Sequence, residues 1–202
     1  MHKLLIATNN NYKKSQFAYL LQNYNISVYT LKDMGLEWSV EENWSTPEEN
    51  AIIKANYRVQ KANIPTLADD SWMQIDALGG EPGVKARRWW WKFEDWVSDK
   101  EWLDYLLRRM EWIPFEDRTA RFQASWVLVF PGWKKFVKNF DLEFVILEEP
   151  VGSYPEWSPI SAVRYIPRYQ QPETMLTSYQ IWDELVEHME DFDIENKIKN
   201  NF

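Results

Sequence analysis

Cysteine is absent from the 202 residues, which excludes disulfides, thiolate metal sites and cysteine nucleophiles. Histidine occurs twice, at His2 and His188, which argues against a zinc centre of the His/Cys kind. Long hydrophobic runs are missing too. The opening apolar stretch Leu4-Leu5-Ile6-Ala7 is too short for a signal peptide, and nothing later approaches the roughly 18 apolar residues of a membrane span. The expectation is a soluble, cytoplasmic protein with no membrane partner. Basic charge is in deficit: 23 Lys and Arg stand against 31 Asp and Glu, a net charge of −8. A face for nucleic acid is therefore not expected. An anionic small substrate stays open, provided that a metal ion or a few placed lysines offset the local field. Glycine is scarce as well, with 6 residues against 13 tryptophans, including the run Trp89-Trp90-Trp91.

What is present reads as one α/β unit. Lys3 to Ala7 is an apolar strand, followed by an Asn-rich loop and a helix whose stripe is Phe17, Leu20, Leu21 and Tyr24. Ile26 to Thr30 is a second strand, so the chain opens β-loop-α-β with a polar loop at the end of the first strand. In open α/β sheets ligands sit there. Thr46-Pro47-Glu48-Glu49 is a capping box with proline at the first helical position, and its helix runs to about Lys61 with Asn50 and Lys54 on one face. Strands follow at Pro65–Asp69 and Met73–Ala77, then an irregular stretch from Leu78 to Val97. Ser98-Asp99-Lys100-Glu101 opens a further helix to about Met110. Arg121 to Phe130 and Lys135 to Glu148 form a long β-hairpin. One strand is expected near Ala162 to Ile166, and a closing helix runs over Ser178 to Asp191 with Ile181, Leu185 and Met189 on one side. The fold class is α/β, a central mixed sheet flanked by helices with a long hairpin extension, as a single domain over 1–202.

Three polar clusters carry the candidate chemistry. Thr8-Asn9-Asn10-Asn11-Tyr12-Lys13 sits where a helix N-terminus and a lysine suit an anion, although an Asn-rich loop is commonly just a helix cap. Glu41-Glu42 precedes the helix bearing Asn50 and Lys54. Leu67-Ala68-Asp69-Asp70-Ser71 puts two acids at the end of an apolar strand, where a cation must offset their desolvation. Mg²⁺ takes one or two carboxylates plus substrate phosphates. His188 reads as a packing or surface residue. Asp117, Arg118 and Arg121 read as structural ion-pair or interface residues.

Together these residues resemble the inosine/xanthosine triphosphate pyrophosphatases, enzymes that clear aberrant purine nucleotides. The matching blocks are Ala7-Thr8-x-Asn10-x-x-Lys13, Glu41-Glu42 with Thr46-x-x-Glu49-Asn50-Ala51-x-x-Lys54-Ala55, and Ala68-Asp69-Asp70-Ser71. The third continues through Asp76-Ala77-Leu78-Gly79-Gly80-x-Pro82-Gly83-Val84 to Ala86-Arg87, and Asp117-Arg118-Thr119-Ala120-Arg121-Phe122 matches further on. The resemblance implies Mg²⁺-dependent hydrolysis of a nucleoside triphosphate to monophosphate and pyrophosphate, by a homodimer. It implies that Glu41, or its neighbour Glu42, holds the metal with Asp70. Asp70, or Asp69, positions or deprotonates the water, and a structural role for Asp69 stays open. Lys13 and Lys54 bind phosphates, with Thr8, Asn10, Asn50 and Ser71 as further substrate contacts.

The chain also departs from the pattern. Trp44 and Trp72 stand where the family has glycine, and Tyr12 replaces glycine before Lys13. Glu156-Trp157-Ser158-Pro159-Ile160 lacks the Asp of a Gly-aromatic-Asp-Pro-Ile block, and the family's Ser-His-Arg is absent. Arg164 and Arg168 are candidates to replace it, or ordinary surface arginines. A nucleotide-binding protein with a decayed site, and a same-fold pyrophosphatase of other specificity, therefore remain alternatives. The tryptophan excess suggests that some of these codons are UGA read as glycine in the source organism; Trp102 and Trp182, on helical stripes, are candidates for true tryptophans.

Overall fold

The computed structural model describes residues 2–36, 40, 46–83, 86–89, 92–94, 96–155 and 158–201. The chain divides into two compact units, one of residues 1–71, 124–140 and 182–202, the other of residues 72–123 and 141–181.

In the first unit, β1 (His2–Ile6) pairs in parallel with β2 (Ile26–Thr30), Leu4 lying opposite Val28. It also pairs in parallel with β3 (Thr66–Ile75), Leu5 opposite Thr66. Leu4, Leu5 and Ile6 are all buried, as a strand covered on both faces requires. The strand order continues β2-β1-β3-β5-β6, where β5 is Thr119–Val129 and β6 is Lys135–Ile146. Helix α1 (Asn11–Leu21) buries Phe17, Leu20 and Leu21, while Tyr24 lies beyond its end and is half-buried.

Helix α2 (Pro47–Ala62) starts as its sequence dictates. Thr46 Oγ1 accepts the Glu49 N–H at 3.0 Å, Pro47 follows the cap, and Asn63 closes the helix in the left-handed region. Its inner face is small: Ala51 and Ala55 pack with Ala7 of the β1–α1 loop, Ala68 of β3, and Val59, Val127 and Val129. Short side chains let the helix lie close to the sheet, which brings the polar ends of Asn50 and Lys54 within reach of β3. Trp126 stacks among Phe17, Phe140 and Phe192. The closing helix α4 (Ser178–Phe192) is followed, after Asp193 in a left-handed conformation, by α5 (Ile194–Lys199), a short helix the pattern did not suggest.

In the second unit the order is β3-β5-β6-β7-β8, with β7 at Arg164–Ile166, β8 at Gln171–Pro172, and the two-residue β4 (Pro82–Gly83) antiparallel to β3. β6, β7 and β8 pair antiparallel. Helix α3 (Asp99–Arg109) carries the complete capping box between Ser98 and Glu101 and buries Trp102, Leu103 and Leu106. Those side chains join Met73, Ile75, Phe144 and Ile146 in one core. Arg118, 2% exposed, is built into this unit by carbonyls. Its Nε donates to Ile146 O, its Nη1 to Met110 O and Ile113 O, and its Nη2 to Leu147 O, at 2.8, 2.7, 3.3 and 3.0 Å. Arg121 pairs with Asp76 at 2.5 Å.

One expected boundary is corrected. Pro65–Asp69 and Met73–Ala77 are not two strands but the single strand β3, and Asp76 and Ala77 belong to the 3-10 turn that follows it. The polar run Asp69-Asp70-Ser71 stays extended because each acid meets a lysine, described next.

Candidate active site in the first unit

Asp69 and Asp70 are neighbours in β3 but not a side-by-side pair. Alternation along a strand sends successive side chains to opposite faces. Asp70 shares the face of Ala68, toward α2. There Lys54 Nζ donates to Asp70 Oδ1 at 2.8 Å and Asn50 Nδ2 donates to Oδ2 at 3.0 Å. Both carboxylate oxygens are thus fixed by groups one helical turn apart. Asn50 is fully buried, so the structure sets its amide on Asp70. Asp69 is buried and forms an ion pair with Lys13 of α1. The Asp69 carbonyl lies 3.5 Å from Lys54 Nζ, which ties the two pairs into one network.

The loop before α1 is organised by its own side chains. Asn10 Oδ1 accepts the N–H groups of Tyr12 and Lys13 at 2.8 and 3.3 Å, and Thr8 Oγ1 accepts the Asn10 N–H at 3.2 Å. Asn10 is therefore the N-cap of α1, its exposed amide NH₂ being the group that can meet a ligand. Trp182 Nε1 donates to the Tyr12 hydroxyl at 3.3 Å, so the aromatic ring in the place of a family glycine is packed against α4.

A cavity of about 300 Å³ opens among these residues, lined by Thr8, Asn9, Asn10, Lys13, Lys54 and Asp69 with Ala7, Leu31, Val40 and Arg58. It brings together five of the residues singled out from the sequence: Thr8, Asn10, Lys13, Lys54 and Asp69. Asn50 and Asp70 join through Lys54. Ser71 follows on the same strand and is exposed. Glu41, its neighbour Glu42 and Trp44 lie outside the described residues. Arg58 was missed, although its spacing of four from Lys54 puts it on the same helix face. Its guanidinium is buried, donates from Nη1 to Leu36 O at 2.6 Å, and has its pKa lowered by that burial.

Other candidates fall elsewhere. Arg164, in the second unit, pairs with the buried Glu173 at 2.5 Å and lies over the rings of Phe122 and Phe144. Arg168 is exposed in the turn after β7. His188 packs on Phe140, ring centroids 4.3 Å apart. Trp72 donates from Nε1 to Gln123 Oε1 at 2.7 Å.

Among the described residues no group of three or more His, Cys, Asp or Glu is gathered to hold a metal ion. The donor set nonetheless suits a hard divalent cation that takes few protein ligands. Asp70 offers carboxylate oxygens that each accept one N–H, and a carboxylate has about four acceptor sites in all. Lys13 and Lys54 line the cavity beside it.

Comparison with known proteins identifies the family. The Ham1 family model matches residues 4–162. A dITP/XTP pyrophosphatase of Geobacter sulfurreducens is 36% identical over 153 residues, 76% of this chain and 75% of its own length. One from Thermus thermophilus is 38% identical over 150 residues, 74% of this chain and 70% of its own. Among solved structures, a HAM1 protein from Coxiella burnetii shares the fold with a TM-score of 0.79 at 24% identity, over 99% of this chain and 100% of that one. The Ham1 protein of Staphylococcus aureus gives 0.75 at 25% identity, over 94% and 98%. With the matched stretch covering most of its length, the chain belongs to the Ham1 family.

Proposed function

We propose that this protein hydrolyses aberrant purine nucleoside triphosphates, of the dITP and XTP kind, to the monophosphate and pyrophosphate. The observation that carries this reading is the convergence of Thr8, Asn10, Lys13, Lys54 and Asp69 on one cavity, with Asp70 beside Lys54. The relatives named dITP/XTP pyrophosphatase support the substrate class. Mg²⁺ is the proposed cofactor, held by Asp70 with Glu41; when bound it supplies neutralisation of the phosphate charge. The protein's own contributions follow from the pairs. Lys13 and Lys54, held by Asp69 and Asp70, present their positive charge to the phosphate oxygens, and Thr8 and Asn10 donate to the same chain of phosphates. Asp69 holds Lys13 in place. Asp70, clamped by Asn50 and Lys54, accepts a hydrogen bond from the attacking water and orients it. The two compact units are read as parts of one pyrophosphatase-like domain over 1–202, because β3, β5 and β6 each contribute residues to both. A cytoplasmic homodimer that uses neither nucleic acid nor membrane completes the proposal.

The test is pyrophosphate release with Mg²⁺, comparing ITP and XTP with ATP, GTP, dUTP and dTTP. Preference for ITP or XTP is expected. Asp70→Asn should lower turnover by about 10²- to 10⁴-fold with the fold intact; undiminished turnover would remove Asp70 from the mechanism. A shifted base preference is the second reading. It is favoured by the missing Ser-His-Arg block and by the engagement of Arg164 with Glu173.

A further inference from the structure

We propose that Arg58 is a third phosphate-binding residue of the first-unit cavity, extending the cationic row that Lys54 begins along α2. This rests on the pyrophosphatase reading for the substrate, but not for the probe used below. Asn50, Lys54 and Arg58 follow at intervals of four. Each interval drifts only about 40° around the helix and rises about 6 Å, so the three lie on one face in a line about 12 Å long. That line matches a polyphosphate chain in scale. Arg58 is 4% exposed and is among the residues that line the cavity. Its hydrogen bond to Leu36 O and its position 5.4 Å from the Tyr57 ring fix the guanidinium plane. A planar fork held in that way suits two oxygens of one phosphoryl group, which a lysine, as a point charge, cannot grip in the same manner.

The experiment is isothermal titration of the full chain with inorganic tripolyphosphate, in the unmodified protein, Arg58→Gln and Arg58→Lys. Binding by the unmodified protein is expected, weakened roughly 10- to 100-fold in Arg58→Gln, as for loss of a charge-assisted hydrogen bond, and less in Arg58→Lys. A folded Arg58→Gln with unchanged affinity overturns the proposal, as does an unmodified protein that does not bind tripolyphosphate. If Arg58→Gln does not fold, Arg58→Lys decides: full affinity overturns the fork, reduced affinity supports it. Tripolyphosphate binding without hydrolysis of any nucleotide would count against the pyrophosphatase reading alone.

Trp133 carries an independent inference. It occupies φ 67 in the hairpin turn between β5 and β6, where its N–H donates to Phe130 O at 2.8 Å and the Phe130 N–H closes on Lys134 O at 2.9 Å. In hairpin loops of this kind the residue after the turn sits in the left-handed region and is typically glycine. The indole is 54% exposed, so burial does not offset the strain of a bulky residue there. Trp102 and Trp126, by contrast, are packed in cores. Taken with 13 tryptophans against 6 glycines, we infer that position 133 is glycine in the native protein, encoded by a UGA codon that the source organism reads as glycine. The gene sequence and the mass of the peptide spanning this position, from protein made in that organism, decide it. A UGA codon with a glycine-mass peptide is expected. A UGG codon, or a tryptophan-mass peptide, overturns it.

Discussion

Arg118 shows how much one side chain can organise. It donates to four carbonyls in the second unit, at the end of α3, the turn beyond it and the end of β6. A buried carbonyl without a donor costs about 1–3 kcal/mol, so Arg118→Ala should destabilise the protein by at least about 3 kcal/mol in urea unfolding. Arg118→Lys, which keeps the charge but lacks the planar fork, should recover only part of that. Trp133→Gly should act in the other direction, raising stability by about 0.5–1 kcal/mol. It exchanges a left-handed L-residue, at about 1–2 kcal/mol, for the smaller entropic cost of glycine. His188 supplies a pH dependence. Burial lowers its pKa, the Lys138 charge lowers it further, and Asp191 and Glu187 oppose the shift without cancelling it. The unfolded chain then binds the proton first. The contribution is complete above the unfolded pKa of about 6.5 and is lost as pH falls through it toward the folded value. His188→Phe should flatten the stability profile in that window, and an unaltered slope would show that other groups set it.

At the scale of elements, α2 and α3 were legible because each announces its first turn: Thr46 with Pro47, and Ser98 with Glu101. Thr46→Ala should cost about 1 kcal/mol in urea unfolding and, since α2 carries Asn50 and Lys54, should also raise the KM for nucleotide. Strand β3 was read as two pieces because Asp69-Asp70-Ser71 looks like a strand end by local pattern. What keeps it extended is the pair of lysines Lys13 on α1 and Lys54 on α2, both far from β3 in the chain, and no local window contains them. Block order and spacing singled out Thr8, Asn10, Lys13, Lys54 and Asp69, which the structure gathers at one cavity. Arg58 escaped because it belongs to no block and is visible only as the next step on a helix face. Helix α5 escaped because Asp193 interrupts the apolar pattern and the helix beyond it is only 6 residues long.

For the whole molecule, every described residue of the candidate site falls in the first unit. Bound nucleotide with Mg²⁺ should therefore raise the melting temperature by linkage, with hydrogen-exchange protection gained first at 8–13, 54–58 and 66–71. Protection confined to the second unit would place the site elsewhere. Composition does not mark the boundary between the units, because it falls inside β3, β5, β6 and α4 rather than in a linker. The first unit is assembled from three separated stretches, the last of which begins at residue 182. During synthesis, therefore, the residues that line the cavity emerge from the ribosome early, yet the unit around them cannot close until residues 182–201 have followed. A nascent chain stalled before that point presents Asp69, Asp70 and their lysines without a finished unit behind them, so nucleotide binding should appear abruptly once residues 182–201 have emerged rather than grow with chain length.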